Sequence, residues 1–87
     1  MSTQVQLECN GFTQLLSLQV PQDMTQRHIN RKVSEAIGLP NDAYTLSYLD
    51  DLTLSYQCLS APEDYTELAY IAMFKGLYLS AQAKQRI

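Results

Sequence analysis

The sequence has 87 residues, of which 46% are hydrophobic and 17% are charged, and its net charge is −3. This length allows one domain with one modest core, since domains commonly run to about 100–150 residues and a small one still buries roughly 60% of its unfolded surface. Its six lysines and arginines are too few and too dispersed for a nucleic-acid surface, and no apolar run approaches the roughly 20 residues of a membrane span.

The first predicted element is a β-hairpin. Residues 5–9 alternate apolar and polar side chains, which indicates a half-buried strand. The pair Asn10-Gly11 is a strong hairpin signal, because both residues tolerate the positive φ of a type I′ turn. Leu16 and Leu18 then alternate with polar residues, so a second strand is expected to end before Pro21.

A helix with clear start and stop signals follows. Asp23 and Thr25 both offer N-cap oxygens, Gly38 can adopt the left-handed conformation after the last turn, and Pro40 prevents continuation. Apolar residues recur at i, i+4, i+7 and i+8: Ile29, Val33, Ala36 and Ile37. The sequence therefore predicts about three helical turns with one buried face.

Two further strands are predicted in the second half. Tyr44, Leu46 and Tyr48 alternate with polar residues and indicate a third strand. A fourth lies between Leu52 and Leu59, and its ends stay open because the whole stretch alternates. If that strand starts at Leu52, the neighbouring leucines are buried; if a loop comes first, they are exposed.

A second helix is predicted to begin at a capping box, Ser60-Ala61-Pro62-Glu63. The Ser60 hydroxyl would accept a hydrogen bond from the Glu63 amide, and the Glu63 carboxylate would accept one from the Ser60 amide. Gly76 is expected to end the helix. The side chains expected to face the core are Leu68, Ala69, Ala72 and Met73.

The order β-β-α-β-β-α-β predicts an α+β fold of the ubiquitin-like β-grasp type, in which a mixed sheet packs on the first helix. The first and last strands would be parallel neighbours. Residues 77–79 would supply the last strand. We place the domain at residues 1–80 and expect residues 81–87 to form a short polar C-terminal tail.

The chain lacks the residue patterns of catalytic and metal sites. Cys9 and Cys58 lie in apolar strand-like stretches and are expected to be buried free thiols in a reducing compartment, the cytoplasm, with one disulfide as the alternative. Two thiols and one histidine are too few for a zinc site. No glycine-rich phosphate loop or nucleophile–histidine pairing is present, and His28 is expected at the surface. We predict no catalytic residue, cofactor or metal, and no enzyme.

Two segments resemble PB1 domains. Residues 31–39, Arg-Lys-Val-Ser-Glu-Ala-Ile-Gly-Leu, are similar to the end of that family's first helix. Residues 44–51 and 59–68 resemble its strand, acidic turn and acidic helix start. The resemblance implies a β-grasp module of a cytosolic signalling or scaffold protein, which pairs front to back through an acidic motif on one domain and a basic surface on another.

The resemblance implies an acidic-face module. The family's acidic loop continues into a Gly-Asp pair that Thr53-Leu54-Ser55 lacks, and the first strand carries glutamines and one glutamate where basic members carry lysine. Another protein is the implied partner, a PB1-type domain with a basic face being one candidate. The implied partner-binding residues are Asp50, Asp51, Glu63, Asp64 and Glu67.

Four of these residues also have a sufficient local role. Asp50-Asp51 suits a turn, and Glu63-Asp64 suits a helix start. A second surface on the first helix, made by Arg27, Arg31 and Lys32, could receive an acidic partner or support self-association, and a solvated helix face is the simpler and favoured explanation.

The alternative function keeps protein binding and changes the surface. A β-grasp subunit or domain could bind within a larger complex through a sheet edge or through exposed apolar residues such as Leu49, Leu52 and Leu54. A conjugated modifier is disfavoured because the sequence has no Gly-Gly terminus, and a Ras-type GTPase binder ranks low because residues 13–19 are uncharged.

Overall fold

The computed structural model describes residues 1–84. The strands are β1 (Ser2–Cys9), β2 (Phe12–Gln19), β3 (Tyr44–Asp50), β4 (Ser55–Leu59) and β5 (Tyr78–Ala83). The α-helices are α1 (Gln26–Ile37) and α2 (Leu68–Phe74), and two 3-10 turns lie at Asn41–Ala43 and Pro62–Tyr65. Neither α-helix in this part of the chain is long and apolar enough to cross a membrane.

The strands form one mixed sheet in the order β2-β1-β5-β3-β4. β1 pairs with β5 in parallel, and the other neighbours are antiparallel. The central position of β5 brings the last strand between the two hairpins. This arrangement confirms the predicted α+β β-grasp fold, including the parallel contact between the first and last strands.

The first hairpin and α1 follow their local sequence signals. Asn10 and Gly11 have φ values of 53° and 83°, as a type I′ turn requires. Thr25 is the N-cap of α1, where its hydroxyl accepts a hydrogen bond from the His28 amide, and Gly38 ends the helix at φ 73°. Of the two candidate caps, Asp23 serves the strand instead, since its carboxylate accepts from the Gln19 amide at 2.8 Å.

The core lies between the inner face of the sheet and the two helices. Ile29 and Val33 of α1 are fully buried, whereas Ala36 and Ile37 are only partly buried. On α2, Leu68 is fully buried and Ala72 is 7% exposed. The other core members come from the strands and connections: Val5, Leu7, Leu16, Leu18, Val20, Met24, Tyr44, Leu46, Leu59, Tyr65, Leu77, Leu79 and Ala81.

The predicted second helix differs from the observed one. Its start is the 3-10 turn Pro62–Tyr65, and α2 proper runs only from Leu68 to Phe74. The buried face of α2 is centred on Leu68 and Ala72, so Met73 points outward and is 46% exposed, while Ile71 packs against the core. The prediction that Met73 is a core residue is wrong.

The capping interaction is also shifted by one residue. The Asp64 carboxylate accepts hydrogen bonds from the Ser60 amide at 3.0 Å and the Ala61 amide at 2.9 Å, and no described hydrogen bond links the Ser60 and Glu63 side chains to each other's amides. Ala61 occupies the N-cap position in an extended conformation, so the residue three positions later is the one that reaches back. These hydrogen bonds lower the pKa of Asp64.

Replacing Asp64 by asparagine is expected to lower the Tm at pH 7 by a few degrees. Since the folded-state pKa is depressed, the carboxylate stabilises the fold above its ordinary value of 3.8, and this contribution is lost as the pH falls through the folded-state pKa. Thermal unfolding of both proteins between pH 7 and pH 2 should therefore show the gap in Tm narrowing below about pH 4. Glu63→Gln is the matched control in the same turn, and a gap that does not change with pH would contradict the capping role.

The C-terminal strand is longer than expected. β5 includes Ser80 to Ala83, so residues 81–83 belong to the sheet and the expected tail from residue 81 begins inside a strand. Small side chains fit here: Ala81 is 1% exposed, and the Ser80 hydroxyl donates to the Glu8 carboxylate at 3.3 Å. Residues 85–87 of the expected tail lie outside the described residues.

The two cysteines are less buried than predicted. Both are free thiols, as expected, but Cys9 is half-buried and Cys58 is exposed. Cys58 lies on β4, an edge strand of the sheet, where only Leu59 is buried.

Candidate functional site

An acidic groove lies where the end of β3 faces the turn Pro62–Tyr65. It has a volume of about 360 Å³. We define the acidic groove by the side chains that line it: Tyr48, Asp50, Gln57, Cys58, Glu63, Asp64, Thr66 and Glu67. Four of the five acidic residues predicted as partner-binding are thus brought together by the fold, although they come from two segments separated by β4.

The pKa of Tyr48 is affected by the negative charges of the acidic groove. Its pKa is raised first by partial burial and then by the negative charges of Asp50, Glu67 and Asp64. Three carboxylates therefore act on a single ring, and the groove has a negative potential that favours a cation.

The hairpin end holds Asp50 in place. One oxygen of the Asp50 carboxylate accepts a hydrogen bond from the Leu52 amide at 3.0 Å, which leaves the other oxygen without a partner in the described part of the molecule. This is the usual way in which an Asx turn is stabilised. Asp50 thus has a local role and still has one oxygen free of described hydrogen bonds.

Asp51 is not part of the acidic groove. Its carboxylate forms an ion pair with the Lys75 ammonium at 2.9 Å, and this hydrogen bond and the adjacent charge raise the pKa of Lys75. The pair lines a second groove, of about 330 Å³, together with Leu52 and Tyr70, and the two grooves share Tyr48, Asp50 and Glu67. Asp51 is therefore ion-paired at the second groove, whereas Glu63 and Asp64 line only the acidic groove.

We call the 3-10 turn Pro62–Tyr65, which carries Glu63 and Asp64, the acidic turn. A hydrogen-bond network attaches it to α1. Tyr65 is 2% exposed, and its hydroxyl accepts from the Asn30 amide group at 3.1 Å. The Tyr44 hydroxyl donates to the Asn30 backbone oxygen at 3.1 Å or to its side-chain oxygen at 3.2 Å. The Gln26 side chain donates to the Ser60 carbonyl at 3.3 Å. Burial raises the pKa of both tyrosine hydroxyls.

The basic residues of α1 lie outside the acidic groove. Arg27 and Arg31 are exposed and Lys32 is half-buried. None of them forms an ion pair within residues 1–84. His28 is half-buried at the same helix start, where its ring contacts the Thr25 hydroxyl at 2.7 Å.

Exposed apolar side chains occur on the two segments that supply Leu52 and Tyr70 to the second groove. β4 begins at Ser55, so the preceding residues form a loop in which Leu52 is 84% exposed and Leu54 is 78% exposed. Leu54 has a φ of 55°, a conformation that leucine rarely adopts. On α2, the rings of Tyr70 and Phe74 contact each other in a tilted arrangement with centroids 5.0 Å apart, and both are exposed. The sequence left open whether Leu52 and Leu54 are exposed, and it did not indicate the exposed aromatic side chains of α2.

Within residues 1–84, no group of three or more histidine, cysteine, aspartate or glutamate side chains is arranged to hold a metal ion. No protein-family model and no curated protein matches the sequence.

Solved structures with the same fold include PB1 and ubiquitin-like domains. The AtNBR1-PB1 filament (L-type), determined by cryo-EM, has a TM-score of 0.76 at 18% identity, over 97% of this chain and 99% of the other. The AtNBR1-PB1 domain has a TM-score of 0.74 at 16% identity, over 95% and 98%. The C-terminal ubiquitin-like domain of mouse tubulin-specific chaperone e has a TM-score of 0.68 at 18% identity, over 99% and 90%. These likenesses show a PB1-like β-grasp fold, as the resemblance implied.

Proposed function

We propose that this domain is a protein–protein interaction module of a cytosolic signalling or scaffold protein, without catalytic activity, which docks its acidic groove onto a basic surface of a partner. The observation that carries the proposal is the convergence of Asp50, Glu63, Asp64 and Glu67 in one groove where no described cation pairs with them. Unpaired carboxylates at a surface attract and orient a positively charged partner. The PB1 domains among the structural neighbours, one of them in a filament, support an interaction role.

The partner we propose is a PB1-type domain that carries lysines in its first strand. Self-association through the same groove has less support. In that case Arg27, Arg31 and Lys32 of a second copy would occupy the groove. Both versions use exposed charge pairs, which salt screens over about 10 Å at 0.1 M ionic strength. Both should therefore weaken as salt is added.

The groove is tested best with two isosteric substitutions, Asp50→Asn and Glu67→Gln, made together. Asparagine keeps the oxygen that accepts from the Leu52 amide, so the hairpin end is preserved. We avoid Asp64, which caps the acidic turn, and Asp51, which is paired with Lys75. Titration with a lysine-bearing PB1-type domain should give a Kd about tenfold higher for the double variant, the equivalent of about 1.4 kcal/mol.

The control for that titration is Glu35→Gln with Asp42→Asn. Both residues are exposed and lie outside the acidic groove. Their two substitutions change the net charge by the same amount as Asp50→Asn with Glu67→Gln. The control should bind as the unmodified domain does. Equal losses of affinity in the two double variants would reduce the effect to net charge and contradict docking at the groove.

A mainly apolar interface is the second candidate, and the loop leucines favour it. Leu54 has a φ of 55° and is 78% exposed, so its side chain contributes little to the fold. Asparagine or glycine would be less strained at this φ. Strain retained at an exposed position is typical of a contact surface. If this candidate is correct, Leu52→Asp abolishes binding without loss of folding, and added salt has little effect on the Kd.

A further inference from the structure

The outer edge of β2 is an unpaired and unprotected strand edge. In the part of the chain that the structure describes, β2 pairs with β1 on one side only and ends the sheet. Its eight residues contain no charge and no proline. Natural edge strands are usually protected by lysine, proline, a bulge or a covering segment, because an open row of amides and carbonyls accepts another strand.

The hydrogen bonds show which residues of β2 face outward. Val20 and Met1 form a mutual pair, since the Val20 amide donates to the Met1 carbonyl at 2.6 Å and the Met1 amino group donates to the Val20 carbonyl at 3.2 Å. In an antiparallel ladder the bonding direction alternates from residue to residue, so the even-numbered residues of β2 bond to β1. Thr13, Leu15 and Ser17 therefore direct their amides and carbonyls away from the sheet.

The end of this edge is closed by a side chain. The next outward amide, that of Gln19, donates to the Asp23 carboxylate at 2.8 Å. This bond confirms the alternation independently of the Met1–Val20 pair. It also limits the open edge to the three outward residues, none of which has such a side-chain partner among the described hydrogen bonds.

We propose that β2 pairs antiparallel with β2 of a second copy of this chain, around a two-fold axis at Leu15. In this register Leu15 meets its own symmetry mate, and Thr13 lies opposite Ser17 on both sides of the axis. The three outward residues of each copy then exchange about six backbone hydrogen bonds. The two leucine side chains, each 59% exposed in the single chain, cover each other on the outer face of the sheet.

Charge and symmetry favour a second copy as the occupant. Two identical uncharged edges meet without like-charge repulsion, and a two-fold interface requires a self-complementary surface of this kind. The acidic groove lies at β3 and β4, on the opposite edge of the sheet from β2. The carboxylates of the two copies therefore stay far apart, and each groove stays free. This contact is independent of the function proposed above.

The test is the mass of the 87-residue chain by sedimentation equilibrium, at concentrations from about 10 µM to about 1 mM and at low and high salt. The weight-average mass is expected to rise from 9.9 kDa towards twice that value, with little dependence on salt. A mass that stays at 9.9 kDa throughout overturns the proposal. An increase that high salt abolishes also overturns it, because that result indicates charge-driven association.

Leu15→Lys locates the contact, because the two-fold register places the introduced charges directly opposite each other. This variant should remain a monomer over the whole range. Gln82→Lys is the matched control, since Gln82 is exposed on β5 in the middle of the sheet, and it should associate as the unmodified chain does. Association that persists in Leu15→Lys overturns the proposal.

Amide hydrogen exchange gives a readout at single residues. The amides of Thr13, Leu15 and Ser17 should exchange more slowly as the concentration rises, while those of Leu16 and Leu18 are already protected by β1 in the single chain. Thermal unfolding of Leu15→Lys and Gln82→Lys should show that both variants fold. Exchange of the three outward amides that does not depend on concentration overturns the register.

Discussion

Replacing Leu68 by alanine is expected to lower the free energy of unfolding by about 3 kcal/mol. Leu68 is fully buried at the start of α2, where the helix packs on the sheet. Removing its side chain costs the transfer free energy of the lost atoms and leaves a cavity that the surrounding β-sheet cannot close. A domain of this size has only about 5–10 kcal/mol of stability in total, so a substantial part would be lost.

Met73→Ala is the matched control for Leu68→Ala. Met73 lies on the same helix but is 46% exposed, so its truncation should cost under about 1 kcal/mol. Urea unfolding followed by circular dichroism measures both variants, and comparison of the m-values checks that the unfolded states are similar. Equal losses would mean that α2 has the orientation expected from the sequence, in which both residues face the core.

Replacing Asn30 by alanine is expected to cost about 2 kcal/mol, although alanine is the better helix former. The Asn30 amide group donates to the buried Tyr65 hydroxyl at 3.1 Å, and in the variant this hydroxyl loses its described partner. A buried polar group without a partner loses its hydration without compensation. The acidic turn should also become more mobile, because this bond connects it to α1.

A double-mutant cycle separates the hydrogen bond from the other effects. Tyr65→Phe alone should cost about 1 kcal/mol, since Asn30 can still donate to the Gln26 carbonyl at 2.9 Å. In the double variant no hydroxyl is left without a partner, so its cost should fall short of the sum of the single costs by about 1 kcal/mol. Strict additivity would refute the coupling. Glu35→Ala, at an exposed position of α1, controls for helix propensity.

The elements that could be predicted from the sequence are those specified by neighbouring residues. The Asn10-Gly11 turn, the Thr25 cap and the Gly38 stop each depend on the conformational preferences of one or two residues, and the structure confirms all three. The prediction of the second helix was wrong at its start, because tertiary contacts hold its first turn. Tyr65 is drawn into the core and bonds to Asn30, and this position favours a 3-10 turn over a continuous helix.

The acidic groove shows the same division. The sequence identified the five acidic residues, but it could not show that Asp51 pairs with Lys75, because the two residues are 24 positions apart and meet only when α2 packs beside the β3–β4 loop. It also left open whether the leucines before β4 are exposed. A strand that alternates throughout has no local signal for its start, and its partner β3 decides where the pairing ends.

The local patterns therefore predicted the order of the strands and helices, and that order is the one typical of a β-grasp fold, since period-2 and period-3.6 patterns with their turn residues act over short distances. Only the packed structure decided which carboxylates face a common groove, which one is neutralised and which amides of β2 stay unpaired. These properties depend on distances between segments far apart in the chain and on the phase of each strand in the sheet. Local preference does not specify either quantity.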